Sequence, residues 1–344
     1  MSAQEACHAA HEAIKETLPC AEVVELPLSD GGEGLVRSVM LALENHPEKA
    51  LIPITFHAHD PLMNIIDATY AITPDGKTAY MEMAATSGLT LVPEHLRNPL
   101  LTTTYGVGEM ILDATRRGCS EIIMGIGGSA TCDGGKGMID CIQEHGMSFD
   151  ELPHIVVACD VSNPLFGENG AAYIFGPQKG ATPEQVVILD ERLKDFARKT
   201  EEAGIASPEL SSYPGTGAAG GLGYSLMAYL KASLQSGIDI ILDIIDFDHK
   251  IVDSTIVITG EGKSDEQTLM GKVPHGVLNR CRIFNKPVWL LSGSIEDNDS
   301  ILSQNFNIVQ SINEGDNRPI NVLMQKEVAT DNLKKCIIEL ISKH

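Results

Sequence analysis

Six carboxylates (Asp30, Glu33, Asp133, Asp160, Glu261 and Asp265) and three lysines (Lys179, Lys263 and Lys272) sit in or beside glycine-rich stretches of this sequence. Those residue types are the parts that phosphoryl transfer uses. Lysines and backbone amides hold phosphate oxygens, and carboxylates hold magnesium or take the proton of an attacking hydroxyl. Taken singly, each carboxylate is as readily a solvated loop charge. Their recurrence at successive strand ends raises the group above any of its members.

The densest stretch is Ile122-Ile-Met-Gly-Ile-Gly-Gly-Ser-Ala-Thr-Cys-Asp-Gly-Gly-Lys-Gly137. An apolar run ending in closely spaced glycines predicts a strand that opens onto a loop whose amides face an anion. The spacing Gly125-x-Gly127-x-x-Ala130 also fits the dinucleotide fingerprint. A helix begun there would carry Asp133, Gly134, Gly135 and Gly137 in its middle, at about 1 kcal/mol per glycine. The expectation is therefore an extended loop. A tight connection without a ligand is the plainer alternative, though turn chemistry alone does not account for Ser129, Thr131 and Asp133. No Gly-x-x-x-x-Gly-Lys-Ser/Thr loop is present, because Gly271-Lys272 is followed by valine and Gly135-Lys136 by glycine.

The elements that position these residues follow from periodicity and caps. Ser2-x-x-Glu5 is a capping box for a helix that stops before Pro19. Ala21–Leu28 reads as a strand ending in Ser29-Asp30-Gly31-Gly32-Glu33-Gly34, before a helix from Leu35. Short segments with turns at Asp60-Pro61 and Pro74-Asp75-Gly76 predict antiparallel strands between Leu51 and Val92. A helix with Val107, Met110, Ile111 and Ala114 on one face closes on Gly118. Ile155–Cys159 is a buried strand that delivers Asp160 to its carboxyl end, where open α/β sheets bind ligands. Gly176-Pro-Gln-Lys-Gly180 is a turn, and Thr182-Pro183-x-Gln185 opens a long helix. In the glycine cluster Pro214–Gly223, close packing and ligand contact are equally good readings. Thr255–Asp265 is a strand ending in charged residues, followed by a helix after Gly271-Lys272, two strands at Pro287–Ser294 and Asn307–Ile312, and a terminal helix.

A chain of 344 residues suggests two domains. Its net charge of -22, from 47 acidic and 25 basic residues, argues against a nucleic-acid or anionic-membrane partner. The eight cysteines have no Cys-x-x-Cys pair and read as reduced thiols. His57, His59, His154, His249 and His275 show no metal-ligand spacing. No apolar run reaches the ~18 residues of a membrane span, so a cytoplasmic location is expected.

Several motifs together resemble the bacterial-type glycerate kinase family. They are Leu26-Pro-Leu-Ser-Asp-Gly-Gly-Glu-Gly34, Glu82-Met-Ala-Ala-Thr-Ser-Gly-Leu89, Asn98–Gly106, Gly125–Gly135, Ala158–Leu165, Phe175–Pro183, Gly217–Gly223 and Ile258-Thr-Gly-Glu-Gly-Lys-Ser-Asp265. The match runs in order over nearly the whole chain. It implies an α/β fold in which a parallel-sheet, Rossmann- or flavodoxin-like domain (1–50 plus 255–344) holds an inserted α/β domain (51–254). Family members usually begin with a strand running into Asp-Ser-Phe-Lys-x-Ser, and this sequence starts at the helix that follows it. The 146–154 connection is also short, and Cys132 stands where asparagine is common.

The activity implied is transfer of the ATP phosphate to D-glycerate, with ATP and Mg2+ as cofactors and 2-phosphoglycerate as the expected product. Asp30, Asp160, Lys263 and Asp265 would be catalytic. Gly127, Gly128, Ser129, Asp133, Glu261 and Lys272 would bind the cofactor, with Gly127, Gly128 and Ser129 taking ATP phosphates or the glycerate carboxylate. Asp160 and Glu261 would hold the metal. The partners are a small molecule, D-glycerate, and a second copy in a homodimer. Two alternatives stand beside this: a catalytically impaired, truncated relative that only binds ligand, and, more weakly, an NAD-dependent dehydrogenase.

Overall fold

The computed structural model describes residues 1–28, 34–43, 47–297 and 299–343. The chain divides into two compact units, one of Gly31–Gly237 and one of Met1–Asp30 with Ile238–His344. Both are built from strands alternating with helices, the α/β class that the strand, glycine-loop and helix order predicts.

In the Gly31–Gly237 unit, strands β1 (Ile52–His59), β2 (Ile65–Ile72), β3 (Thr78–Glu82), β4 (Glu121–Gly125), β5 (His154–Ala158) and β6 (Ser233–Gln235) form one sheet in sequential order. The β1–β2 and β2–β3 pairings are antiparallel, and β3 through β6 run parallel. The register sets Gly125 at the end of β4 beside Ala158 at the end of β5, so the loops that follow leave the sheet side by side. β4 is buried nearly throughout, which is why it reads as a continuous apolar run. Its core partners include Met81, Val107, Met110, Met138, Ile142 and Val157. The Tyr105–Arg116 helix ends with Gly118 in the left-handed conformation; Gly118 N–H donates to Thr115 O and Cys119 N–H to Ala114 O, the paired bonds of a Schellman cap.

In the other unit, β7 (Val257–Ser264), β8 (Val288–Ile295) and β9 (Ile308–Ser311) form a three-stranded parallel sheet in sequential order. The Ala3–Thr17 helix carries the Ser2/Glu5 capping box and packs Ala9 and Ala13 with Leu333, Ile337 and Leu340 of the Lys326–Lys343 helix over Trp289 and Leu291. One expected strand is absent. Ala21–Leu28 joins no ladder with a described strand. Its side chains turn to the first helix, Glu25 Oε1 lying 2.7 Å from His11 Nδ1, and Pro27 has no N–H to give a ladder.

Candidate active site

A cavity of about 350 Å³ opens at the carboxyl ends of β4 and β5. The stretch from Ile126 to Gly135 stays non-helical, and the helix begins only at Lys136. The shape of this loop is fixed by two of its carbonyls and one amide. Gly128, with φ of 70°, accepts from Leu89 N–H at 2.8 Å, Ala130 O accepts from Thr102 Oγ1 at 3.0 Å, and Ala130 N–H donates to Ser87 O at 2.9 Å. Among the described residues, nothing accepts from the N–H groups of Gly127, Gly128 and Ser129. Three successive donors without an acceptor, on residues lining a cavity, are the groups from which an anion-binding nest is built.

The Pro214–Gly223 cluster supports this loop by close packing and also meets the cavity. Ala219, Gly220 and Gly221 all have positive φ, and a Cβ at Gly220 would lie 2.0 Å from Thr131 O. Gly134 N–H donates to Gly220 O at 3.0 Å, and Ser225 Oγ–H donates to Gly134 O. Ala218 and Ala219 then form part of the cavity wall. The left-handed Ala219, which has a side chain, is the kind of local strain that clusters at ligand sites.

Among the described residues, two charged groups reach the cavity. Asp160 follows β5 and is exposed, with Oδ1 accepting from Gly237 N–H at 2.9 Å. Lys179 is 2% exposed, and its Nζ donates to Ser129 Oγ and Thr131 O, both at 2.7 Å. Burial pulls its ammonium down to about 8, against the opposing charges of Cys132 and Asp133. Gly180 makes that placement possible: its φ is 91°, and a Cβ there would stand 2.4 Å from Arg97 O. Composition and spacing show the turn around Lys179; that its ammonium points inward is visible only in three dimensions.

Asp133 does not line the cavity. Its Oδ2 accepts from Thr104 N–H (2.9 Å), Thr104 Oγ1–H (2.8 Å) and Gly137 N–H (3.1 Å), and its Oδ1 from Gly135 N–H (3.1 Å). Thr104 Oγ1 in turn accepts from Met138 N–H at 3.1 Å. The carboxylate thus fastens the start of the Lys136–Glu144 helix to the residues before the Tyr105–Arg116 helix.

Glu261, Lys263, Asp265 and Lys272 gather in the other unit, at the end of β7. Glu261 Oε1 accepts from Thr268 Oγ1 at 2.6 Å and from Ser264 Oγ at 2.9 Å, and its Oε2 lies 3.6 Å from Lys272 Nζ. Asp265 Oδ1 accepts from Gln267 N–H at 3.0 Å. Lys263 Nζ lies 3.0 Å from Glu296 and 3.8 Å from Asp265, and the bond to Glu296 holds its ammonium above the usual lysine range. Each lysine has two carboxylate neighbours, and partly exposed ion pairs of this kind are weak. Asp160 and Glu261 fall in different units. Among the described residues, no three His, Cys, Asp or Glu side chains cluster as a metal cage. Asp30 lies outside the described residues.

Comparison with known proteins bears on what these loops do. A family model, the glycerate kinase family, matches residues 1–151 and 148–342. The chain is 40% identical to glycerate 2-kinase of Escherichia coli, over 91% of this chain and 88% of that one. It is 42% identical to glycerate kinase of Bacillus cereus, over 88% and 84% of the two chains. A crystal structure of putative glycerate kinase 2 from Salmonella typhimurium superposes with a TM-score of 0.77 at 34% identity, over 100% of this chain and 94% of that one. No described helix is long and apolar enough to cross a membrane. The family model over nearly the whole chain, the 40% and 42% identities and the shared fold lead to one assignment: this chain belongs to the glycerate kinase family.

Proposed function

We propose that the protein transfers the γ-phosphate of ATP to a hydroxyl of D-glycerate, giving 2-phosphoglycerate and ADP and releasing one proton. The observation that carries this is the cavity where the unspent amides of Gly127, Gly128 and Ser129 and the Lys179 ammonium share walls with the Asp160 carboxylate. Donors for an anion and an acceptor for a hydroxyl proton are what a hydroxy acid needs in order to be phosphorylated. The relatives named as glycerate kinases supply the identity of the acid.

In this reading Asp160 takes the proton of the attacking hydroxyl. Its exposed carboxylate is held by Gly237 N–H on one oxygen. In the other unit Lys263 and Lys272 would be phosphate ligands, with Glu261 and Asp265 beside them; Asp30, outside the described residues, is a further candidate carboxylate. Glu261, beside Lys272, is a hard oxygen donor of the kind Mg2+ accepts alongside substrate phosphates. Bound with the nucleotide, Mg2+ would neutralise phosphate charge as it transfers.

The test incubates the purified protein with Mg-ATP, with and without D-glycerate, following ADP release, and then adds enolase alone. Glycerate-dependent ADP and a product that enolase converts to phosphoenolpyruvate are expected. No ADP above the glycerate-free control would overturn the kinase reading. A product that enolase leaves untouched would overturn only the 2-phosphoglycerate assignment.

A further inference from the structure

Lys179 is a buried cation whose partners in the protein are neutral. Its ammonium has three N–H donors, of which Ser129 Oγ and Thr131 O take two. Among the described residues it forms no ion pair. Asp133, whose charge reaches it, already spends both carboxylate oxygens on Thr104, Gly135 and Gly137. An unpaired buried charge costs several kcal/mol unless something compensates it. The cavity that Lys179 lines is where the compensating anion can enter. Ser129 points the same way: its Oγ accepts from Lys179, so its own O–H remains to donate, next to the unspent amides of the loop.

The charge balance of the cavity selects among anions. Among the described residues it offers a single ammonium and neutral donors, and it also carries the Asp160 carboxylate. A polyphosphate would bring several negative charges against one cation and that carboxylate. A carboxylate brings one. The volume of about 350 Å³ is at the small end for ligand pockets. We infer that Lys179, with Ser129 and the Gly127–Ser129 amides, is the receptor for the carboxylate of a small hydroxy acid, and that it sets the choice of acid over the corresponding polyol. This deepens, and rests on, the kinase reading above.

Steady-state kinetics of Lys179→Met test it. The KM for D-glycerate rises at least ~30-fold, the lower range for truncating one partner of a buried charge pair. The KM for ATP stays within about twofold, and preference for D-glycerate over glycerol shrinks by the same factor. A rise in the ATP KM with an unchanged glycerate KM, or no change in either, overturns the receptor and leaves the kinase reading standing. Should the variant fail to fold, calorimetric binding of D-glycerate to the wild-type protein decides. Glycerate is ionised throughout, so its binding weakens with rising pH as Lys179, whose buried ammonium gives up its proton more readily than a free lysine, is neutralised; a profile flat to pH ~10.5, the ordinary lysine value, overturns the receptor. A wild-type protein without glycerate-dependent turnover refutes the kinase reading instead. Thermal stabilisation by D-glycerate alone, lost in Lys179→Met, would then still support the carboxylate receptor, and equal stabilisation of both would overturn it.

Discussion

Asp133→Asn separates a clamp from a ligand contact. The carboxylate receives four hydrogen bonds, three on Oδ2 and one on Oδ1, with donor distances of 2.8 to 3.1 Å. Asparagine in its better orientation keeps the oxygen for Thr104 and Gly137 and sets its NH2 against Gly135 N–H. That strands one donor at a cost of about 1–3 kcal/mol. The three retained bonds lose the assistance of the negative charge, which makes such bonds roughly twice as strong as neutral ones. The sum, reduced because Asp133 is only partly buried, is about 3 kcal/mol. For a unit of this size that corresponds to a fall in Tm of about 6–12 °C. Calorimetric unfolding of the wild-type protein and the variant reads it. Thr104→Val removes the hydroxyl joining Asp133 to Met138 N–H, so the double variant should lose at least about 0.5 kcal/mol less than the two single losses combined. A Tm within ~2 °C of wild type, with a large rise in the KM for ATP or glycerate, would refute the clamp and make Asp133 a ligand residue.

Asp160→Asn keeps an acceptor for Gly237 N–H and loses the base, so turnover with D-glycerate falls at least ~100-fold with little change in Tm; near-normal turnover would remove Asp160 from the reaction. Gly220→Ala puts a methyl 2.0 Å from Thr131 O at φ of 69°, so the loop and its support must separate. A loss above ~3 kcal/mol in denaturant unfolding is expected, and a loss under 1 kcal/mol would show that the close approach is dispensable. Glu5 titrates at about 2 rather than 4.5, through its bond to Lys326 and the Ser2 amide. A depressed carboxyl stabilises the folded state above 4.5 and loses that contribution as pH falls toward 2. The Tm difference between wild type and Glu5→Gln should therefore shrink across that window; a difference independent of pH would contradict the linkage.

Much of the scaffold was legible because local rules and packing agree. The Ser2 and Thr182 capping boxes open their helices as their spacing predicts, and the apolar runs ending at Gly125 and Ala158 are the buried parallel strands β4 and β5. Ala21–Leu28 has strand-like composition, but a strand exists only where a neighbour supplies its ladder, and composition does not contain the neighbour. The site was legible in outline. Gly127, Gly128, Ser129 and Asp160 do line one cavity. The division of labour between Asp133 and Lys179 was not, because it depends on contacts distant in sequence. Asp133 is claimed by Thr104, 29 residues earlier, and Lys179 finds Ser129 across 50 residues. A carboxylate inside a glycine loop looks like chemistry until its four donors are counted; a lysine in a turn looks like surface until its burial is known.

The glycine clusters therefore differ in what they contribute. Around Gly134 and Gly220 the absence of side chains lets two backbones touch, and the bonds there run between protein groups alone. Around Gly127 and Gly128 the Gly128 carbonyl and the Ala130 amide bond to the Ser87–Leu89 segment, while the amides of Gly127, Gly128 and Ser129 have no acceptor among the described residues. Amides without a protein acceptor give the loop no hold of its own, so keeping three of them in place needs rigid support elsewhere. The Asp133 clamp, the Gly220 contact and the Ser225 bond provide it. The Gly127–Ser129 amides are thus donors that the described protein groups do not take up, and in the receptor proposed above Lys179 adds the charge that selects the anion.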